Sequence, residues 1–168
     1  MSPRTSRVRH VVVVLVACLT LVVVVATLVV QNETNRRRLQ RAGVHLEQGM
    51  RLYQQKDPHR AEADLRLALR ENPGDWKAPF YVGAIETEWK RYELALAYFE
   101  RALDLNPTNP RILNALGVVY FKLGRLDIAK AYFWASTELD PTNRDAAGLM
   151  EAVATRQWKA GQAAEAKN

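Results

Sequence analysis

The stretch PRILNALGVVYFKLGRLDIAKAYFWASTELDPTN, residues 110–143, decides the fold of this 168-residue chain. Apolar and small residues recur in it at the spacing of an amphipathic helix, first before and then after Gly124. Asp140-Pro141 ends the second pattern, because proline disfavours helix in the residue before it and cannot continue the hydrogen-bond ladder. The stretch therefore predicts two helices joined by a short turn.

The same pattern recurs twice upstream at a constant interval, which indicates a repeat architecture. It predicts repeats at 42–75, 76–109 and 110–143, followed by a helix over 144–160 that caps the array. Residues 161–168 are small and polar, and we expect them to form a flexible tail. The equivalent residues are Gly49, Gly83 and Gly117; Ala61, Ala95 and Ala129; Leu65, Phe99 and Phe133; and Pro73, Pro107 and Pro141.

The repeated small residues predict how the two helices of each repeat pack. Glycine inside a helix costs about 0.5–1 kcal/mol relative to alanine, so a glycine kept in three repeats implies close approach of a neighbouring helix. We expect the same role for the alanines of each second helix, with a large side chain filling the space between. The predicted packing residues are Gly49, Gly83, Gly117, Ala61, Ala95, Ala129, Phe99 and Phe133.

The net charge of +6 is unevenly placed along the chain. Residues 1–10 and 31–41 each contribute +3, whereas residues 42–168 hold 17 basic and 17 acidic side chains. The basic excess therefore flanks the uncharged segment 11–30, VVVVLVACLTLVVVVATLVV, and favours membrane topology over a nucleic-acid surface. As a helix, 20 residues span about 30 Å, the thickness of a bilayer's hydrocarbon core.

We interpret residues 11–30 as an uncleaved transmembrane anchor rather than a signal peptide, whose apolar region is usually shorter. Arginines lie on both sides, three in the basic tail 1–10 and four in the linker 31–41, so charge leaves the orientation nearly tied. We favour a cytoplasmic N-terminus with the C-terminal domain exported. The linker contains no Pro or Gly and is able to continue as helix; its arginines are a topology signal or contact anionic headgroups.

Catalysis has little support in the sequence. His10, His45 and His59 lie in no ligand spacing, and no Gly-rich phosphate loop, GxSxG or CxxC occurs. Cys18, the single cysteine, lies inside the apolar segment, so an intrachain disulfide or thiolate metal site is excluded. We therefore predict a protein that is not an enzyme and uses no cofactor or metal.

The repeated residues resemble the tetratricopeptide repeat, whose 34-residue pattern runs Trp, Leu-Gly, Tyr, Ala, Phe, Ala and Pro. Residues 110–143 match it best, with Leu113 in place of Trp and Ser136 in place of the second Ala. Residues 76–109 carry Pro79 and Glu86 at apolar positions, and residues 42–75 are the most divergent, with His45 and Gln48. The resemblance implies an all-α, right-handed solenoid of helix–turn–helix repeats behind the N-terminal helix.

The resemblance also implies binding of a protein or peptide segment on the concave face formed by the first helix of each repeat. We call the corresponding residues the groove set. An alternative is that some of its apolar members pack against neighbouring repeats. The groove set is Leu46, Met50 and Tyr53; Lys77, Phe80, Ala84 and Thr87; and Arg111, Asn114, Val118, Phe121 and Lys122.

Two features narrow the expected partner. Some family members bind chaperone C-terminal tails through a clamp of Lys and Asn, but only Arg111 fits here, so we expect no such binding. The other clamp places hold Leu46, Met50, Tyr81 and Ala115. Four tryptophans, Trp76, Trp89, Trp134 and Trp158, either pack between repeats or form a second interface.

Two functions remain from the sequence. The first is a membrane-tethered scaffold that helps to assemble an envelope or membrane complex. The second is an anchored receptor that faces the cytosol and binds targeting peptides. Tethering serves either function, because it raises the effective concentration of the groove for other membrane components.

Overall fold

A computed structural model describes residues 3–165, and within that range every regular element is an α-helix. The all-helical fold predicted from the sequence is confirmed. The chain divides into two compact units, Met1–Arg41 and Ala42–Asn168. The helices are α1 (Pro3–Gln54), α2 (Pro58–Glu71), α3 (Lys77–Glu88), α4 (Tyr92–Leu105), α5 (Pro110–Lys122), α6 (Leu126–Leu139) and α7 (Arg144–Glu165).

The first unit consists of the N-terminal part of α1. Among the described residues, one helical stretch, Cys18–Gln54, is long and apolar enough to cross a membrane, and its most apolar window is 0% buried. A signal sequence passes the same test of length and composition. The described Val and Leu side chains between residues 15 and 30 are between 51% and 66% exposed, so no protein surface of this unit covers them.

The second unit is a row of paired helices. Consecutive helices from α2 to α7 pack against one another, and α3 also contacts α5, as α5 contacts α7. Three apolar clusters form the core, centred on Leu65 and Ile85, on Phe99 and Leu116, and on Phe133 and Val153. Each cluster joins a helical pair to the helix that follows it, so the core runs along the row rather than sitting at one centre.

The turns between paired helices share one backbone conformation. Lys56, Lys90 and Gly124, which occupy the same position in the three repeats, have positive φ angles of 61°, 60° and 75°. Glycine, which has no Cβ, adopts this left-handed conformation without a steric cost, so Gly124 suits the turn better than the two lysines.

Side-chain caps begin several helices. The side chain of Asn109 accepts a hydrogen bond from the backbone N–H of Arg111, and that of Asn143 accepts one from Ala146. By residue type, Thr108 and Thr142 are equally able to cap these helices. Thr142 instead donates its hydroxyl to Asp140 at 2.6 Å.

Two details differ from the sequence expectations. Helix α7 continues to Glu165, beyond the predicted end at residue 160, because Gly161 is followed by good helix formers. Residues 166–168 of the predicted tail lie outside the described residues. Glu86, at a position where an apolar residue is usual, is 0% exposed and accepts hydrogen bonds from Arg66 and Arg91 at 3.4 and 3.3 Å.

Candidate functional site: the face of the first helices

Close packing within each repeat sets the orientation of the first helices. A Cβ built on Gly49 would lie 2.7 Å from Leu65, one on Gly83 2.9 Å from Phe99, and one on Gly117 2.5 Å from Phe133. Ala61, Ala95 and Ala129 of the second helices are all 0% exposed. These contacts fix which side of α1, α3 and α5 is turned away from the second helices and remains available.

The groove set falls into three groups by burial. Leu46 and Phe80 are only 8% and 9% exposed, because they pack in two of the apolar clusters; they offer little surface to a partner, and we leave them out of the proposed contact surface. Lys77, Arg111 and Lys122 are exposed. The half-buried members are Met50, Tyr53, Ala84, Thr87, Asn114, Val118 and Phe121.

Aromatic contacts join three successive first helices. The ring of Tyr53 on α1 meets the edge of Tyr81 on α3 at 5.7 Å, and Tyr81 meets Phe80 at 5.4 Å. The guanidinium of Arg111 on α5 lies 5.4 Å from the centre of the Phe80 ring. A continuous aromatic and cationic row therefore crosses from the first repeat to the third, and we call it the aromatic row.

A hydrogen bond fixes one end of the aromatic row. The Tyr53 hydroxyl donates to a carboxylate oxygen of Glu88 at 2.8 Å. Burial and this bond raise the pKa of the Tyr53 hydroxyl above its ordinary value, so the group stays a donor across the physiological range. Tyr53 lies outside the apolar segment 11–30.

Asn114, in the middle of α5, carries an unsatisfied acceptor. Its Oδ1 atom is enclosed and has no hydrogen-bond partner among the described residues, although the residue as a whole is half-buried. A buried acceptor without a donor costs about 1–3 kcal/mol, which a ligand N–H would recover. Asn114 is thus the member of the groove set whose side-chain oxygen has no hydrogen-bond donor among the described residues.

The far end of the groove set is held by α7. Arg156 donates to the backbone carbonyl of Phe121 at 3.1 Å, and its guanidinium lies 5.0 Å from the centre of the Phe121 ring. Gln157 donates to Asp127 at 2.8 Å. The sequence does not predict the contacts of Arg156 and Glu88, and it identifies Tyr81 only as a clamp place without the expected residue type. Tyr53 and Glu88 have the same separation in sequence as Phe121 and Arg156, and this shared spacing is a signal that could have found both pairs.

The tryptophans have different surroundings. Trp76 meets Phe80 at 5.9 Å, and Trp89 stacks on His59 at 4.9 Å with the Arg91 guanidinium 4.7 Å from its ring. Trp134 is 58% exposed. The side chain of Trp158 lies outside the described residues. In the part of the chain whose side chains are described, no group of three His, Cys, Asp or Glu residues is placed to hold a metal.

Comparison with protein families identifies the repeats. Residues 83–124 match the family described as "TPR repeat", and residues 110–143 match "Tetratricopeptide repeat". The helical pairs within residues 83–143 therefore match the tetratricopeptide repeat, a class of repeat that mediates protein–protein interactions. The matched residues leave out 42–75, where the pattern is most divergent.

A sequence relative is the photosystem I assembly protein Ycf3 of Cyanophora paradoxa, which is 42% identical over 55 residues. The match covers 32% of this chain and 32% of that protein, so it spans about a third of the relative's length.

Solved structures share the fold at low identity. The first TPR domain of human RPAP3 has a TM-score of 0.69 at 20% identity, covering 72% of this chain and 95% of that one. The first TPR of Spaghetti (RPAP3), solved with an HSP90 peptide, has a TM-score of 0.68 at 21% identity, covering 71% and 94%. The Arabidopsis OM64 TPR domain also scores 0.68, at 19% identity, covering 71% and 98%.

Proposed function

We propose that this protein is a membrane-tethered scaffold that binds an extended segment of a protein partner along the face of its first helices. The observation that carries the proposal is the aromatic row from Tyr53 to Arg111, followed along α5 by the unsatisfied Oδ1 of Asn114. In this row the half-buried rings of Tyr53 and Tyr81 supply apolar contact at low entropic cost, and the buried Phe80 supports them from behind. The amide oxygen of Asn114 would accept a backbone N–H of the bound segment.

The charges of this face indicate what the segment carries. Lys77 and Arg111 are exposed at equivalent positions of the second and third repeats, and Lys122 is exposed at the end of α5. A segment with a carboxylate among apolar residues complements this arrangement. The clamp positions hold no Lys or Asn, so we propose a peptide class other than chaperone tails; these positions are Leu46, Met50, Tyr81 and Ala115.

Membrane tethering is the second part of the proposal. Residues 11–30 carry no charge, and their described side chains are exposed. A bilayer would cover these apolar side chains, while the helix satisfies its own backbone hydrogen bonds. We place the domain borders at residues 10, 30, 41, 75, 109 and 143, with the C-terminal domain exported. The resemblance of 55 residues to a photosystem assembly protein supports a role in assembling a membrane complex.

Photo-crosslinking in native membranes tests the binding face. We expect Met50→Glu combined with Phe121→Glu to abolish crosslinks to partners, because both half-buried side chains contribute apolar contact area. Leu94→Glu combined with Ile128→Glu is the matched control, since these side chains are exposed on the second helices. If the groove variant is folded and keeps its crosslinks, the first-helix face is not the binding site.

Reporter fusions at Asn168 discriminate scaffold from receptor. Phosphatase activity of the exported fusion supports the assembly scaffold, whereas fluorescence inside the cytosol with protection from external protease supports the anchored receptor of targeting peptides.

N-terminal mass analysis of the membrane-extracted protein tests the anchor itself. Loss of residues 1–30 from the mature protein would identify them as a signal peptide instead.

A further inference from the structure

Successive second helices repeat one pairing of positions, with a charged residue on one helix and a tyrosine on the next. The guanidinium of Arg66 on α2 lies 5.7 Å from the centre of the Tyr98 ring on α4. One repeat later, the equivalent positions are Glu100 on α4 and Tyr132 on α6. Burial raises the pKa of the Tyr132 hydroxyl, and the neighbouring Tyr120 and Glu100 raise it further. Arg66 therefore presents its side chain to a tyrosine of the next second helix, and the charge of Glu100 affects the equivalent tyrosine one repeat later.

Trp134 continues this series, because it occupies in the third repeat the position that Arg66 and Glu100 occupy in the first and second. The two earlier residues carry charges that water solvates, whereas Trp134 exposes 58% of a large apolar side chain. Within residues 3–165, no second helix follows α7, so no tyrosine equivalent to Tyr98 or Tyr132 meets this ring. A large aromatic side chain thus stands open to solvent at the position whose counterpart in the first repeat, Arg66, contacts a tyrosine of the next second helix.

Helix α7 is a first helix by register. Ala146 and Val153 are both 0% exposed, like Ile112 and Val119, their equivalents one repeat earlier on α5. The face that α5 turns toward its own second helix is uncovered on α7. On α5, Leu113 and Gly117 are buried and Tyr120 is half-buried. Their counterparts on α7 are all exposed, and together with Trp134 we call these counterparts the open edge: Ala147, Glu151 and Ala154.

We propose that the open edge docks an amphipathic helix of another protein, one that presents an aromatic side chain to Trp134 and a basic side chain to Glu151. The occupant is a helix, because a helix covers this face in every earlier repeat. The aromatic side chain follows from the tyrosines at the equivalent contacts. This surface is distinct from the groove set and would serve a second partner.

The negative charge of Glu151 at the open edge is the reason that the docked helix should carry a basic residue. Glu151 stands where Gly83 and Gly117 accept the rings of Phe99 and Phe133. A carboxylate covered by an apolar ring would lose its hydration without a partner, whereas a Lys or Arg side chain would pair with it. The open edge therefore selects against a helix shaped like the chain's own second helices.

Synthetic helices derived from α4 provide the probe. The first peptide is RYELALAYFERALDLN, residues 91–106, with Phe99→Lys and a hydrocarbon staple on its solvent side; the second keeps Phe99. We expect the full chain in nanodiscs to bind the Phe99→Lys peptide at least tenfold more tightly than the unsubstituted one, measured by fluorescence anisotropy. Trp134→Ala should weaken binding about tenfold or more, as for an aromatic hot spot. Ile128→Ala, at another exposed residue of α6, should leave it unchanged.

Charge reversal supplies the second arm. Glu151→Lys should abolish the preference for the Phe99→Lys peptide and create one for a Phe99→Glu peptide. Equal affinities for the wild-type and Trp134→Ala chains, or no binding of any peptide at millimolar concentration, would overturn the proposal. A concentration-dependent dimer that Trp134→Ala dissolves would assign the open edge to a second copy instead. Because Met50 lies on α1 in the first repeat, Met50→Glu should bind the peptide normally, which separates this test from that of the groove.

Discussion

Gly117 lies so close to the Phe133 ring that a Cβ on the glycine would stand 2.5 Å from the Phe133 Cε1 atom. The same relationship joins Gly83 to Phe99 and, with leucine, Gly49 to Leu65. The three contacts hold each first helix against its second helix and so decide which side of the first helix remains open. They also allow the repeat packing to be tested by adding a single methyl group.

We predict that Gly117→Ala destabilises the protein by about 1–3 kcal/mol, the usual cost of overpacking a core, because Phe133 is 0% exposed and has little room to move. Gly148→Ala is the matched control. A Cβ there meets nothing within 4 Å, so the same substitution should stabilise α7 by about 0.5–1 kcal/mol. Denaturant unfolding of the purified chain measures both. If both substitutions changed the free energy of unfolding in the same direction, the packing role of Gly117 would be contradicted.

The second helices allow an equivalent prediction. Ala95→Leu adds three carbons at a position that is 0% exposed and should cost about 1–3 kcal/mol of unfolding free energy. Ala97→Leu, two residues further along α4 at an exposed position, should change stability by less than about 0.5 kcal/mol. An unchanged melting temperature for Ala95→Leu would show that the repeat register is misplaced.

The turn conformation predicts a stabilising substitution. Lys90 has a φ of 60°, a conformation that costs a non-glycine residue about 1–2 kcal/mol, so Lys90→Gly should raise stability by about 0.5–1 kcal/mol after the entropy of the unfolded glycine is included. Gly124→Ala imposes the reverse change at a φ of 75° and should destabilise by about 1 kcal/mol. Thermal unfolding should therefore shift in opposite directions; a lower melting temperature for Lys90→Gly would refute the account.

The buried carboxylate of Glu86 makes a fourth prediction. Removing both of its arginine partners, as in Arg66→Ala combined with Arg91→Ala, leaves a charge buried without compensation and should cost about 3 kcal/mol or more. Adding Glu86→Leu to that double variant should restore most of the stability, because an apolar side chain suits the cavity. Chemical denaturation of the three chains decides between these outcomes. If the triple variant is no more stable than the double one, Arg66 and Arg91 act through other contacts.

The repeat pattern is sufficient to predict the helical pairs, because recurring glycine and alanine indicate close approach of a neighbouring helix and recurring proline indicates a helix end. The groove set was harder to predict. Leu46 and Phe80 are on the correct helices but face the core, since an apolar residue at a boundary position is equally suited to a groove and to the adjacent repeat. Glu86 departs from the apolar pattern, and only the tertiary structure brings Arg66 and Arg91 beside it.

By itself, the sequence determined the period, the turns and the apolar N-terminal segment, because each depends on residues close together in the chain. Only the tertiary structure decided which surfaces stay open. The alignment of successive repeats brings Tyr53 to Glu88 and Phe121 to Arg156, and it leaves Trp134 exposed at the end of the row. Contacts between repeats depend on how one helical pair stacks on the next, a geometry set by the packing of whole helices rather than by any one residue's preference.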